Sequence, residues 1–442
     1  MKPPAGVATR SYRVAVVGLG KIGLPLAAQL AGKGHTVIGC DIRPEVVETV
    51  NAGRSHVLEE PGLAEAVGSA VAAGRLTAST DTTDAMRRSE VAIVIVPVVV
   101  SNDKRPDYRW LDAALQAVGK GLQQGALVIV ETTLPMGATR GHVAGVLEAA
   151  SGLRAGDGFH LAFSPERVNS GRIFQDLARY PKIVGGIDDE STRQATAFYK
   201  ASLDAEVRPV ANAETAEFAK LAETTYRDVN IALANQLALF GGARGADLTQ
   251  AFEAANSQPY SHLHRPGIGV GGHCIPVYPH FLLSASHNGE LDLVRTARAV
   301  NDGMAARCLE WLSEALGGLS GKCVLVLGLS YREDVKELSF STALAVIDQL
   351  RRAGATVLAN DPHFTRVELA DLEVEVVEDL GRDLNVDAIV VQAFHSEYRA
   401  LDWGRFKGLK VVLDGRGGVD PAPLRSIGVN VISVAQPPRK GL

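Results

Sequence analysis

Two glycine-rich stretches carry the residues best suited to chemistry. The first is Pro266-Gly267-Ile268-Gly269-Val270-Gly271-Gly272-His273-Cys274. A thiolate is a strong nucleophile, and a run of glycines leaves little side chain between it and a substrate carbon. Bare backbone there also lets N–H groups aim at a developing oxyanion. Cys274 is therefore read as a nucleophile. His273 adjoins it, but neighbouring side chains point apart, so His273 is not assigned as its base. Cys40, Cys308 and Cys323 are read as small packing residues. No C-x-x-C pair occurs, which speaks against a structural zinc site, and no metal is expected.

The second stretch is Gly18-Leu-Gly20-Lys21-Ile22-Gly23. It follows the apolar run Val14–Val17 and opens a segment with helical spacing at Leu24, Ala27 and Leu30. In this pattern Gly18 makes the tight turn, Gly20 lets a pyrophosphate approach the backbone, and Gly23 allows close packing. The N–H groups at the helix start face the phosphates, beside Lys21 and Ile22. Asp41 ends the next strand, where a carboxylate accepts from ribose hydroxyls and repels a 2′-phosphate. That favours NAD over NADP, although Arg43 nearby weakens the preference. A hydride acceptor together with a thiol narrows the reaction. The thiolate traps an aldehyde as a thiohemiacetal, loss of a second hydride leaves a thioester, and water releases an acid. An enzyme that stops at the carbonyl has no use for the thiol.

The elements that must position these groups alternate between strand and helix. Strands are expected at Val14–Val17, Val37–Asp41, Ala92–Val96, Leu127–Val130, His160–Phe163 and 182–185. A second set is expected at Cys323–Gly328, Val357–Asp361, Ala388–Val391 and Val411–Asp414. This alternation predicts an α/β fold with doubly wound parallel sheets. The ten-residue run Val91–Val100 reads as a strand buried on both faces, well short of the ~18 residues that span a bilayer. Between the two sets, residues 213–243 contain no proline and show a broad apolar surface. They predict one long helix or two abutting ones, a spine and an oligomer interface.

At about 150 residues per domain, 442 residues suggest about three domains. Net charge is 45 − 50 = −5, which argues against a nucleic-acid partner. The hydrophobic fraction of 46% and charged fraction of 21% exclude wholesale disorder. The first twelve residues hold no apolar signal core, so a reducing, cytoplasmic setting is expected, with no membrane partner.

Several further motifs occur in order along the chain. They are Asn51-Ala-Gly53, Glu60-Pro-Gly-Leu63, Glu131-Thr-Thr133, Ser164-Pro-Glu-Arg167, Lys220 with Arg227 and Asn230, Asp361-Pro362 and Asp414-Gly-Arg416. With both glycine loops, they resemble the nucleotide-sugar 6-dehydrogenases, a family that includes UDP-glucose, UDP-N-acetylhexosamine and GDP-mannose dehydrogenases. The resemblance covers nearly the whole chain and is nearest to the UDP-N-acetylhexosamine branch. It implies two Rossmann-like domains joined by a central helical domain: residues 1–205 for NAD, 206–305 for dimerisation with the cysteine loop, and 306–442 for the nucleotide sugar. It implies four-electron oxidation of the sugar C6 to a uronate, in polysaccharide biosynthesis, by a homodimer acting on a UDP-linked sugar.

Residue by residue, the resemblance makes Cys274 the nucleophile and Lys220 the cation that steadies the oxyanion. Glu166 acts through water in hydrolysis, and Thr133 lies near the nicotinamide and the reacting carbon. Arg416 and Arg332 hold the diphosphate, with Arg167, Arg265, Gly271, Gly272 and Tyr331 among the substrate contacts. Four positions depart from the family pattern. Tyr278 replaces an aspartate four residues after the cysteine, and a phenol cannot serve as a carboxylate base. Thr224 replaces an asparagine, yet its hydroxyl can still serve an oxyanion or a water. Ser339, in Glu337-Leu-Ser-Phe-Ser341, replaces an arginine, and Ser170 replaces a second acid. Three rival readings remain open at this point. One is UDP-glucose as the specific substrate. Another is a two-electron hydroxyacid-type dehydrogenase with Lys220 polarising the carbonyl. The third is a non-catalytic protein that binds NAD and a nucleotide sugar, supported only by Tyr278.

Overall fold

A computed structural model describes residues 10–438 apart from Asn102, Ser170 and Asn288. The chain forms two compact units. The first is Met1–Glu223 with His280–Ala285, and the second is Thr224–Pro279 with Ser286–Leu442. Each is built on a parallel sheet, so the expected α/β class with two Rossmann-like sheets is what the chain adopts.

In the first unit, six parallel strands run in the order Leu76–Ser79, Thr36–Cys40, Arg13–Val17, Val91–Val94, Leu127–Val130 and His160–Phe163. Lys182–Gly186 then pairs antiparallel to His160–Phe163, and Val207–Pro209 closes that edge. Val91–Val94 is buried along its whole length, as its β-branched sequence requires. The expected strand to Val96 stops early, because Pro97 cannot donate to a ladder. Val99–Val100 instead pairs with Pro106–Asp107 in a separate hairpin. The helix Gly23–Gly32 lies over the sheet and buries Leu24, Leu26, Ala27 and Leu30.

The second unit repeats this plan. Its parallel strands run in the order Glu375–Val376, Thr356–Asn360, Cys323–Leu327, Ala388–Val391, Val411–Asp414 and Asn430–Ser433. Both orders reverse direction beside the first strand, which leaves a crevice at the strand C-termini. The glycine that ends the first strand is used identically in both. Gly18 (φ +99°) donates its N–H to the Cys40 carbonyl, and Gly328 (φ +75°) donates to that of Asn360. A side chain at Gly18 would run into the Ile95 carbonyl, and one at Gly328 into the Ala393 carbonyl.

The proline-free segment forms one helix, Ala213–Gly242, which begins in the first unit and continues in the second. In the second unit the helix Asp292–Leu316 packs Met304, Cys308, Leu309 and Leu312 into the core beneath the sheet. Among the described residues, no helix is long and apolar enough to cross a membrane.

Candidate active site

The first glycine loop is shaped for a dinucleotide. A side chain at Gly20 would meet nothing within 4 Å, so the loop opens onto free space there. Gly23 admits no side chain, because a Cβ would strike the Gly18 carbonyl. The helix that starts at Gly23 has no side-chain cap, so its first N–H groups are not shielded by one. Asp41 stands beside the loop. Its Oδ2 accepts from the Leu19 N–H at 3.2 Å, and its Oδ1 accepts from the Arg43 N–H at 3.0 Å. The Arg43 side chain reaches the same carboxylate at 3.3 Å, and Lys21 lies 3.9 Å from Glu59. Open space, an uncapped helix start and a fixed acid are features that would suit the phosphates and a ribose of NAD.

The corresponding place in the second unit is sealed. Asp361 Oδ2 accepts from the Leu329 N–H at 2.7 Å, as Asp41 does for Leu19. However, His395 Nε2 lies 3.0 Å from the same oxygen, and both side chains are fully buried. The repeated architecture therefore does not repeat the ribose site. Donor atoms of Asp334, His363 and His395 also lie within 4.8 Å of one another. Both ring nitrogens of His395 are already engaged, by Asp361 and by the Asp334 N–H.

The glycine–cysteine loop lies wholly in the second unit. Cys274 is exposed, whereas Cys40 and Cys308 are buried, and burial pushes both thiols up to about 12. Cys323 is half-buried and also raised, by burial and by Asp387 and Glu375. The loop's glycines have a different cause from the one expected. A Cβ at Gly269 would lie 2.6 Å from Thr342 Oγ1, and one at Gly271 would lie 2.7 Å from Tyr331 Cβ. Gly272 adopts φ +90° and packs on the Tyr331 ring. These residues are bare because the loop lies against the 331–342 segment. Nor are all its N–H groups available to an oxyanion: Gly267 donates to Asn235, Ile268 to Gly415 and Gly272 to Ser339. The Cys274 carbonyl accepts from the Tyr278 N–H, so Tyr278 sits one helical turn beyond the thiol.

Three domain models of one family match the chain. They are the NAD binding, central and UDP binding domains of the UDP-glucose/GDP-mannose dehydrogenase family, over residues 12–203, 214–303 and 325–421. The chain belongs to the UDP-glucose/GDP-mannose dehydrogenase family. A UDP-N-acetyl-D-mannosamine dehydrogenase of Pyrococcus horikoshii is 38% identical over 419 residues, covering 93% of this chain and 97% of its own. An NDP-N-acetyl-D-galactosaminuronic acid dehydrogenase of Ralstonia solanacearum is 34% identical, covering 91% and 95%. The solved structure of the UDP-D-ManNAc dehydrogenase from P. horikoshii superposes with a TM-score of 0.87 at 34% identity, covering 96% of this chain and 99% of that one. The protein is thus an NAD-dependent nucleotide-sugar dehydrogenase, an oxidoreductase.

Within the first unit, one of the expected residues, Glu166, stands against the buried ammonium of Lys182. Glu166 Oε1 accepts from the N–H groups of Arg167 at 2.6 Å and Val168 at 3.2 Å. Its Oε2 accepts from Lys182 Nζ at 2.9 Å. Burial alone would raise the Glu166 carboxyl, but the Lys182 charge and these donors outweigh it and hold it below its ordinary range. Arg167 reaches Glu223 at 2.8 Å and also donates to the Pro181 carbonyl at 3.5 Å. Thr133 is buried, and Thr132 beside it ties to the Val96 carbonyl. Lys220 lies on the long helix and is half-buried. Thr224, one turn further on, is buried and begins the second unit.

The expected phosphate ligands in the second unit differ among themselves. Arg265 is exposed, and Arg332 turns its Nε to the Tyr331 hydroxyl at 3.1 Å. Arg416 spends three donors on backbone carbonyls: Gln392 at 2.8 Å, Tyr331 at 2.7 Å and Gly269 at 3.4 Å. It therefore ties the glycine loop to the ends of the sheet, a bracing role that its sequence motif did not suggest. Ser339, where an arginine was expected, contributes its carbonyl to Gly272 instead. Ser170 lies outside the described residues.

Two groups escaped the sequence reading. Glu131 and Lys182 form the buried pair beside Glu166. Glu131 was only a motif letter and Lys182 only a strand start. The second group is a polar chain beneath the cysteine loop. Asn235 accepts from the Gly267 N–H and donates to Asn301, which donates to Asp228, itself paired with Arg298 at 2.5 Å. Asp228, Asn235, Arg298 and Asn301 are all buried, on two helices far apart in sequence.

Proposed function

We propose that the enzyme oxidises C6 of a UDP-linked N-acetylhexosamine to the uronate through a thioester on Cys274. The observation that carries this reading is the contrast among the cysteines: one exposed thiol at the end of a packed glycine loop, against two buried ones. The substrates named for the relatives and the Ser164-Pro-Glu-Arg167 motif support the N-acetylhexosamine. Bound NAD supplies the hydride acceptor for both oxidation steps. Cys274 Sγ adds to the aldehyde carbon, and the Lys220 ammonium steadies the oxyanion that forms. Thr133 and Thr224 contribute hydroxyls to the reacting carbon and its water. Glu166 takes a proton from the hydrolytic water. Arg332, Arg265, Tyr331 and Arg416 serve the diphosphate, with Gly271, Gly272 and Arg167 lining the sugar site. The dinucleotide contacts are those of Gly18, Gly20, Lys21, Ile22, Gly23, Asp41 and Arg43.

The chain divides by function into residues 1–205, 206–305 and 306–442. It works as a cytoplasmic homodimer in polysaccharide biosynthesis. Support for the dimer comes from the long helix, where Tyr226, Leu233, Leu237 and Phe240 are exposed at spacings that form one stripe. The test is stoichiometry across UDP-N-acetylmannosamine, UDP-N-acetylglucosamine, UDP-glucose and GDP-mannose. Two NADH and a uronate per sugar are expected for an N-acetylhexosamine, and Cys274→Ala abolishes acid formation. One NADH with a stable carbonyl product refutes the thioester route.

A further inference from the structure

The first unit holds a charge cluster that the reaction above uses only in part. Lys182 Nζ lies 2.9 Å from Glu166 Oε2 and 2.9 Å from Glu131 Oε2. The Tyr199 hydroxyl donates to the other Glu131 oxygen, Oε1. Lys182 is 5% exposed and the Glu131 side chain is fully buried. One ammonium thus serves two carboxylates in a dry place. Full ionisation leaves a buried net negative charge, so the cluster favours holding one extra proton.

The two acids differ sharply as resting places for that proton. Burial raises Glu131 to about 7; Lys182 and the Tyr199 hydroxyl oppose this, and the Glu166 charge adds to it. Glu166 is pulled the other way: burial would raise it, but the Lys182 charge and hydrogen bond outweigh that, and the backbone N–H groups it accepts add to the lowering. A carboxylate held in its ionised form is a weak base, and alone it returns a proton readily. The groups facing Glu131 are Lys182, Glu166 and Tyr199, and only Lys182 touches both acids through N–H donors.

We propose that Lys182 and Glu131 are positioning residues that store the proton Glu166 takes from the hydrolytic water. The inference rests on the role proposed for Glu166. In the step, a water O–H bond breaks, its oxygen bonds the thioester carbon, and the proton goes to Glu166. Lys182 passes one of its protons to Glu131 and takes the proton from Glu166, so the ammonium is restored and Glu166 is again ionised. The C–S bond then breaks, its electron pair leaving on the thiolate. The stored proton returns by the same path to solvent between turnovers.

The test is single-turnover hydrolysis of the thioester, followed by quenching and mass spectrometry of the Cys274 adduct across pH. The natural enzyme shows a limb that rises through about pH 7, as Glu131 ionises and can accept. Glu131→Gln removes that limb and slows hydrolysis roughly tenfold above it, and Glu131→Asp restores it. Tyr199→Phe, which deletes a donor that favours the ionised form, moves the limb to higher pH. If Glu131→Gln does not fold, the Tyr199→Phe shift decides the matter. A limb unchanged in these variants overturns the inference. Glu166→Gln separates the two readings. If it traps the thioester while Glu131→Gln keeps the limb, only proton storage is wrong. If Glu166→Gln hydrolyses at the natural rate, the role of Glu166 itself falls, and storage falls with it.

Discussion

Asp41→Asn tests the cofactor site with one atom exchanged. The Asp41 side chain is 9% exposed and fixed by the Leu19 and Arg43 N–H groups. Asparagine keeps one oxygen for the Leu19 N–H, so the glycine loop keeps its brace while the charge is lost. A carboxylate about 4 Å from a phosphate charge is repelled by about 4 kcal/mol at an effective dielectric near 20. The Arg43 guanidinium, 3.3 Å from the same carboxylate, offsets part of that. A net change of about 2 kcal/mol corresponds to roughly 30-fold in the NADP-to-NAD ratio of kcat/KM. NAD itself loses about 1 kcal/mol, because a charge-assisted hydrogen bond to the ribose becomes a neutral one. The assay is steady-state kinetics with both dinucleotides. Asp361→Asn is the control, since His395 already covers that carboxylate, and it leaves the ratio unchanged. An unchanged ratio in Asp41→Asn, with only a lower Tm, would show that Asp41 braces Leu19 and does not meet the ribose.

Two further outcomes concern the second unit. Gly328→Ala combines a left-handed backbone, costing about 1–2 kcal/mol, with a Cβ that meets the Ala393 carbonyl, costing about 1–3 kcal/mol more. Gly428 (φ +81°) has nothing within 4 Å of its would-be Cβ, so Gly428→Ala should cost only the first amount; equal losses in urea unfolding would refute the steric argument. Burial opposes ionisation of Asp361, but the His395 hydrogen bond and charge and the backbone N–H groups outweigh it and lower its pKa. A lowered acid stabilises the fold above its unfolded pKa, near about 3.9, and that stability is lost as pH falls through the folded value. Acid unfolding followed by circular dichroism should therefore be shallower for Asp361→Asn in that window; parallel curves would rule this out.

Local pattern made much of this enzyme legible. Four apolar residues before Gly18, three of them β-branched, read as a buried strand. A glycine at φ +99° followed by a helix start can be recognised by spacing alone. Asp41 is readable because it closes the adjacent strand, a fixed distance along the chain. The long helix was expected because proline is absent and apolar residues recur, and these causes are local too. Pro97 should have ended the strand in that reading. The apolar valines on both sides hid a rule the sequence already contained.

What spacing could not supply was contact across the fold. Glu131 and Lys182 are far apart in sequence and meet only because the His160–Phe163 strand lies between theirs in the sheet. That pairing turns an ordinary acid into one raised by burial and leaves Glu166 ionised. Likewise, the glycines before Cys274 announced a loop with no side chains, but not their reason, which is the Tyr331 and Thr342 side chains packed against it. Arg416 reads as a phosphate ligand from its motif, and only the fold adds the three backbone carbonyls that its side chain also braces. The sequence by itself determined residue type and local geometry: which residue is a thiol, which turn needs glycine, which strand is apolar. The tertiary structure alone decided the charge state and the partner, because burial and the distance between remote groups set both.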